Sequence, residues 1–410
     1  MENRYNKYKD SGIAWIGEIP EHWDKNKIIR LFSIIGSGTT PKSSKEDNYI
    51  GSVNWIQSGD INGGYIENCK NTISDTALKE YPTLKIYKAP FIIVAMYGAS
   101  VGNISISNID GCVNQACCVM NETKQNFKYL FYAMNSVKRY LIYKAEGGGQ
   151  PNISQDKIKN TWMPIPPFEE QQSIATYLDQ KCGEIDELIT LQEEIITKLQ
   201  SYKQSVITEA VTKGLDKNVP LKDSGIEWIG EFPEHWKVVK IKYLAKIKSG
   251  DSISSNEIIQ EGIYEVYGGN GLMGYCNKKN VNGFNIIIGR VGALCGNVRL
   301  ISESKYITDN ALILNCFDNA LYPYMYIMLK AANLNNLNTS NAQPLITGSK
   351  VLNVSLPIPP LSEQQSITDY LDRKCSEIDE LISIKQQKIE KLKDYKKSLI
   401  FECVTGKRKV

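Results

Sequence analysis

Histidine is almost absent from these 410 residues: the only two are His22 and His235. A hydrolase or transferase built on an imidazole base would have to use one of these two positions. Long apolar runs are missing as well. The stretch "APFIIVAM" from Ala89 to Met96 falls far short of the roughly 18 residues that suggest a membrane span. The first residues, "MENRYNKYKD", lead into polar sequence and not into the apolar core of a secretory signal, so a cytoplasmic protein is expected. The ten cysteines contain no CxxC pair, and the adjacent Cys117 and Cys118 are badly placed to chelate one ion. Reduced thiols and no metal site are expected. A phosphate-binding GxxxxGK[ST] loop is missing; "VTGKRK" near the carboxyl end lacks the earlier Gly and the following Ser or Thr. No Asn or Asp stands before a PPF or PPY, as an amino-methyltransferase needs, since "IPPF" has Ile165 there. "GNGLMG" from Gly269 to Gly274 satisfies GxGxxG, yet the polar "YCNKKNVNG" after it offers no helix to receive a pyrophosphate. With a net charge of only +3, any nucleic-acid surface has to be local.

What the chain does contain is itself, twice. "KDSGIAWIGEIPEHW" (Lys9 to Trp23) and "KDSGIEWIGEFPEHW" (Lys222 to Trp236) agree at 13 of 15 positions, and both histidines lie in these motifs. "IPPFEEQQSIATYLDQKCGEIDELI" (Ile165 to Ile189) and "IPPLSEQQSITDYLDRKCSEIDELI" (Ile358 to Ile382) agree at 19 of 25. The repeated blocks alternate with diverged ones, which divides the chain at 1–166, 167–214, 215–359 and 360–410. Each repeated helical block opens after "PIPP", a stop for preceding structure and a favourable helix entry. Apolar or small residues, with a polar member in each copy, then recur at alternating steps of four and three: Leu178, Cys182, Ile185, Ile189, Gln192, Ile196 and Leu199 in one copy, Leu371, Cys375, Ile378, Ile382, Lys385, Ile389 and Leu392 in the other. Such spacing predicts a coiled-coil seam. The matching polar interruptions Gln192, Lys203, Lys385 and Lys396 favour mutual pairing over two amphipathic helices packed independently.

The diverged blocks have another texture. Short apolar runs such as "FIIVAM", "NIIIG" and "NALIL", broken by Gly, Asn and Ser clusters, predict short strands with many turns and some helix, as in "NFKYLFYAMNSVKRYLIY". "YGASVGNISI" beside "RVGALCGNVRL", and "GQPNIS" beside "AQPLIT", suggest one fold with two different surfaces.

Together, the two opening motifs, the two "IPP" blocks, "ITEAVTKG", "IFECVTGK", and "IIIGRVGALCGNV" followed by "ITDNALIL" resemble the specificity subunit of type I restriction-modification systems. "GSGTTPKSSKEDNY" with "VNWIQSGDI" is similar to the start of a target recognition domain of that family. The resemblance implies an α+β fold: two similar target recognition domains separated by two long conserved helices that pair as an antiparallel coiled coil about a pseudo-two-fold axis. It further implies a noncatalytic subunit in which each domain reads one half of a bipartite asymmetric double-stranded DNA site. The helices would set the spacer and dock two methyltransferase subunits, and restriction subunits would join through these. S-adenosylmethionine, ATP and Mg would be bound by the partners and not by this chain.

Base edges are read by Arg, Lys, Asn and Gln, and phosphates accept hydroxyls and backbone amides too. Glycine-rich loops carrying such residues supply the DNA-binding candidates Lys42, Ser58, Tyr97 and Gln150, and Ser252, Asn270, Arg290 and Gln343. Trp15, Trp23, Trp228 and Trp236 are expected to pack each domain onto the helical frame, with "EHW" a structural joint and not a catalytic motif.

Overall fold

The computed structural model describes residues 4–143, 145, 152–292, 294–338 and 344–410. The chain forms two compact units, residues 1–192 with 387–410, and residues 193–386.

In unit 1 the apolar run Phe91–Ala95 is a central strand buried along its whole length, as a strand covered on both faces should be. It pairs antiparallel with Cys117–Asn121 on one side and Ile104–Ser107 on the other, and Ile34–Gly36 and Tyr65–Ile66 form the edges. The period-two alternation of a strand divides its side chains between two cores. Ile92, Val94, Cys118 and Met120 face the larger core, under helix α2 (Phe127–Tyr143), while Phe91, Ile93, Cys117 and Val119 face a smaller one. A second sheet holds Val53–Ile56 between Cys112–Val113 and Thr72–Ile73. Short helices α1 (Asp75–Glu80) and α3 (Gln155–Lys159) are capped by Ser74 and Ser154, whose side chains accept an amide three residues on.

Unit 2 repeats this plan. Asn285–Gly289 is the buried centre of a four-stranded sheet in the order Ala245–Ser249, Ala311–Cys316, Asn285–Gly289, Val298–Ile301. Ile286, Ile288, Leu312 and Leu314 point into the larger core; Ile287 and Ile313 point into the smaller. The "GNGLMG" stretch lies in a hairpin: Tyr264–Gly268 pairs antiparallel with Gly271–Cys276, so Gly269 serves the turn while Gly271 and Gly274 lie in the second strand. Helix α5 (Tyr322–Ala331) takes the place of α2, and α6 (Gly348–Leu352) that of α3.

Two long helices complete the units: α4 (Phe168–Lys213) and α7 (Leu361–Val404). At 1.5 Å per residue the 46 residues of α4 span about 69 Å. The first half of α4 belongs to unit 1 and its second half to unit 2, and α7 is divided in the opposite sense. Inside unit 1, Leu178, Cys182, Ile185 and Ile189 of α4 share a core with Leu392, Leu399 and Cys403 of α7. Lys396 reaches Asp186 at 2.6 Å, and Arg408 approaches the Tyr177 hydroxyl at 3.5 Å. Rising numbers on one helix meet falling numbers on the other, so the pairing is antiparallel. Inside unit 2, Val206 and Ala210 of α4 share a core with Ile367 and Leu371 of α7, and Lys203 reaches Asp379 at 2.6 Å. The lysines at two polar seam positions thus bond the facing helix. Ile378 and Ile389 are buried, while Ile196, Leu199 and Ile382 are half-buried.

Candidate nucleic-acid interface

Each opening motif ends against the start of a long helix. Trp23 is fully buried, and its indole N–H donates to Glu170 Oε2 at 2.9 Å. His22 Nε2 lies 2.6 Å from Glu170 Oε1, and the Tyr5 hydroxyl donates to Oε2 at 2.9 Å. The same arrangement recurs in unit 2, where Trp236 Nε1 donates to Glu363 at 2.9 Å and His235 stands 2.8 Å from that carboxylate. Both glutamates lie in the first turn of their helices, where the amide dipoles favour negative charge. The far side of each tryptophan meets the end of the other long helix. Gly406, at φ 71°, sits against Pro20 and Trp23, and Gly214, at φ 75°, against Trp236 and Pro233. Left-handed backbone of this kind is a favourable helix C-cap for glycine. Tyr8 adds a hydrogen bond to the Gly406 carbonyl at 2.9 Å, and Lys407 one to that of Glu18 at 2.8 Å.

Behind each clasp a buried tyrosine ties the end of one long helix to the strand that leads into the other, Trp162–Ile165 before α4 and Ser355–Ile358 before α7. The Tyr129 hydroxyl lies 2.8 Å from the Pro164 carbonyl and 3.2 Å from that of Val404; Tyr324 lies 3.2 Å from Pro357 and 3.5 Å from Val211. Trp15 is half-buried beside Phe401, with its indole N–H enclosed and unpartnered, and Trp228 packs against the larger core of unit 2.

Burial raises the pKa of Glu170, but hydrogen bonds from His22, Trp23 and Tyr5 outweigh it and hold the carboxyl below its usual value. A carboxyl more acidic in the folded than in the unfolded state contributes stability above its unfolded pKa of about 4.3 and loses it as pH falls through the folded value. Glu170→Gln is therefore expected to melt below the parent at neutral pH, with the difference shrinking as pH falls below about 4. Thermal unfolding of both proteins between pH 3 and 7 measures this; a constant difference would rule the linkage out.

The loops of each unit gather at one edge of its sheets. In unit 1, Ile34–Gly36, Val53–Ile56 and Phe91–Ala95 end there and Cys117–Asn121 begins there. Ser37 donates to the Gln115 carbonyl at 3.4 Å, Thr40 to the Gln115 side chain at 2.5 Å, and Ser100 to the Ser58 carbonyl at 2.6 Å. In unit 2, Ser249 donates to the Asp309 carbonyl at 3.3 Å, as Ser37 does to that of Gln115. Gly269, Gly289 and Asn310 meet backbone to backbone.

Residues 20–201 and 233–394 match the family described as type I restriction modification DNA specificity domain. The chain belongs to this family. It is 25% identical to the EcoprrI specificity subunit of Escherichia coli over 365 residues, covering 84% of this chain and 86% of that one. It is 26% identical to the MjaVIII specificity subunit of Methanocaldococcus jannaschii over 309 residues, 69% and 70% of the two chains. A chain solved in work on the complex assembly and conformational transition of the type I R-M system has the same fold, with a TM-score of 0.73 at 17% identity, covering 94% of this chain and 98% of its own length.

Within this specificity-family chain, the loop edge of unit 1 holds Ser58 and Tyr97, the latter half-buried against the larger core. Lys42 is exposed further along, its amide donating to the Tyr81 hydroxyl at 3.1 Å. In unit 2 the edge holds Asn270, exposed at the hairpin turn, and Arg290, half-buried; Ser252 is exposed, its carbonyl accepting from Tyr306 at 2.9 Å. Gln150 and Gln343 lie outside the described residues. Sequence reasoning missed Gln115, Ser249 and Arg299 at the edges, and Glu170 and Glu363 in the clasps. The glutamates did carry a signal, since "EQQSI" survives in both copies. Tyr97 and Arg290 are not equivalent either. Tyr97 bridges Asn152 as Val291 bridges Leu345, so the partner of Arg290 in unit 1 is the buried Met96.

Proposed function

We propose that this chain is the DNA-binding specificity subunit of a type I restriction-modification complex, each unit reading half of a bipartite, asymmetric double-stranded DNA site with its loop edge. The chain is noncatalytic. Helices α4 and α7 set the spacer between half-sites and dock two methyltransferase subunits, through which restriction subunits join. S-adenosylmethionine, ATP and Mg act in those partners.

One observation carries the reading. The clasp is repeated almost atom for atom, Trp23 and His22 on Glu170, Trp236 and His235 on Glu363, while the loop edges carry different chemistry. A frame kept identical suits the same partner met twice, and edges that differ suit two unlike half-sites read by a tandem counterpart of a dimer.

Mapping methylated adenines in cells carrying this chain with its methyltransferase tests it, and a two-part asymmetric motif is expected. Inserting about one helical turn, roughly four residues, within 193–200 should lengthen the gap and leave both half-site sequences alone. Altered half-sites with an unchanged gap would rule out the helices as the spacer.

A further inference from the structure

Resting on the reading of the loop edges as the DNA-facing surface, we propose that Arg290 recognises a guanine in the half-site of unit 2, and that unit 1 has no counterpart of this contact. Arg290 follows the central strand Asn285–Gly289 directly. Its amide donates to the Asn310 carbonyl at 3.0 Å, and its own carbonyl accepts the Ile346 amide at 2.9 Å, so the backbone is pinned from two sides. The neighbouring loops press against it without side chains between them. A Cβ on Gly289 would stand 2.7 Å from the Gly269 carbonyl oxygen, and one on Gly269 2.6 Å from that of Asn310. The base of the side chain is thereby fixed at the junction of three loops.

The guanidinium is poorly used by the protein. No carboxylate among the described residues pairs with Arg290; among those residues its guanidinium makes one hydrogen bond, a long one, Nη1 to Ser249 Oγ at 3.4 Å, and Nε is enclosed without a partner. Arg299 behaves differently. It donates to the carbonyls of Asn270 at 3.0 Å and Gly269 at 3.4 Å, which makes it a positioning residue for the loop beside Arg290. A half-buried, anchored arginine whose planar fork has most of its donors unspent fits a rigid, planar pair of acceptors. Guanine offers one in the major groove, its O6 and N7. A phosphate would be served as well by a flexible exposed lysine.

In unit 1 the positions matching Arg290 and Arg299 are Met96, which is buried, and Ser105, whose hydroxyl accepts the Gly63 amide at 3.1 Å. The matches follow from the ladders: Val94 pairs with Ile104 as Ile288 pairs with Val298.

The test uses the complex with its methyltransferase, comparing binding to the mapped site and to sites with each base pair replaced, for the parent, Arg290→Gln and Arg290→Lys. The parent should discriminate one guanine in one half-site by on the order of ten- to a hundredfold. Arg290→Gln should lose that discrimination and keep the other half-site; Arg290→Lys, whose ammonium also reaches guanine O6 and N7 but without the planar fork, should keep part of it together with the salt dependence. A variant that weakens binding equally for all bases at every position marks a phosphate contact and overturns the proposal, as does retained guanine preference in Arg290→Gln. A parent complex with no sequence preference would instead overturn the reading of the edges.

Discussion

Trp23→Ala is expected to destabilise unit 1 by about 3–5 kcal/mol, and Trp236→Ala to do the same to unit 2. Each indole is buried, each donates its N–H to the first-turn glutamate of a long helix, and each packs against the terminal glycine of the other. Truncation empties the largest buried side chain of the clasp and leaves a half-buried carboxylate short of a donor. The loss should be local. Hydrogen exchange on the full chain should find faster opening of the first turns of α4 in Trp23→Ala, and of α7 in Trp236→Ala. Unchanged exchange at those turns would show that the clasp contributes no stability.

A methyl group at Gly38 or Gly250 is expected to erase recognition by one unit alone. A Cβ on Gly38 would lie 1.7 Å from the Val113 carbonyl oxygen, and one on Gly250 2.3 Å from that of Thr308 and 2.4 Å from that of Ile307. Backbone cannot step aside as a side chain can, so the loop must leave the edge at a cost of at least about 1–3 kcal/mol. In methylation mapping, Gly38→Ala should blur one half of the motif and Gly250→Ala the other, each weakening its half-site at least roughly tenfold. A motif unchanged in both variants would separate these loops from DNA reading.

The long helices were legible because a heptad pattern is local: Leu178, Ile185 and Ile189 declare one face of α4 without reference to anything else. Central strands were legible for the same reason, as apolar runs between turn residues. Individual contacts were less so. Asn270 and Arg290 could be picked as donors in glycine loops, but Arg299 sits in a strand and looks like any surface cation until its guanidinium is seen on the carbonyls of Gly269 and Asn270.

By itself the sequence determined that the chain is a duplication, that two long helices follow two "IPP" blocks, and that it resembles a specificity subunit. Periodicity and repeated identity are properties of neighbouring residues, which a string of letters preserves. Only the tertiary structure decided that Glu170 and Glu363 close the clasps, that residues 387–410 fold with residues 1–192, and that Arg290 stands where unit 1 has Met96. Those facts depend on contacts such as Tyr8 with Gly406, 398 residues apart, and on strand registers, neither of which leaves a local signature.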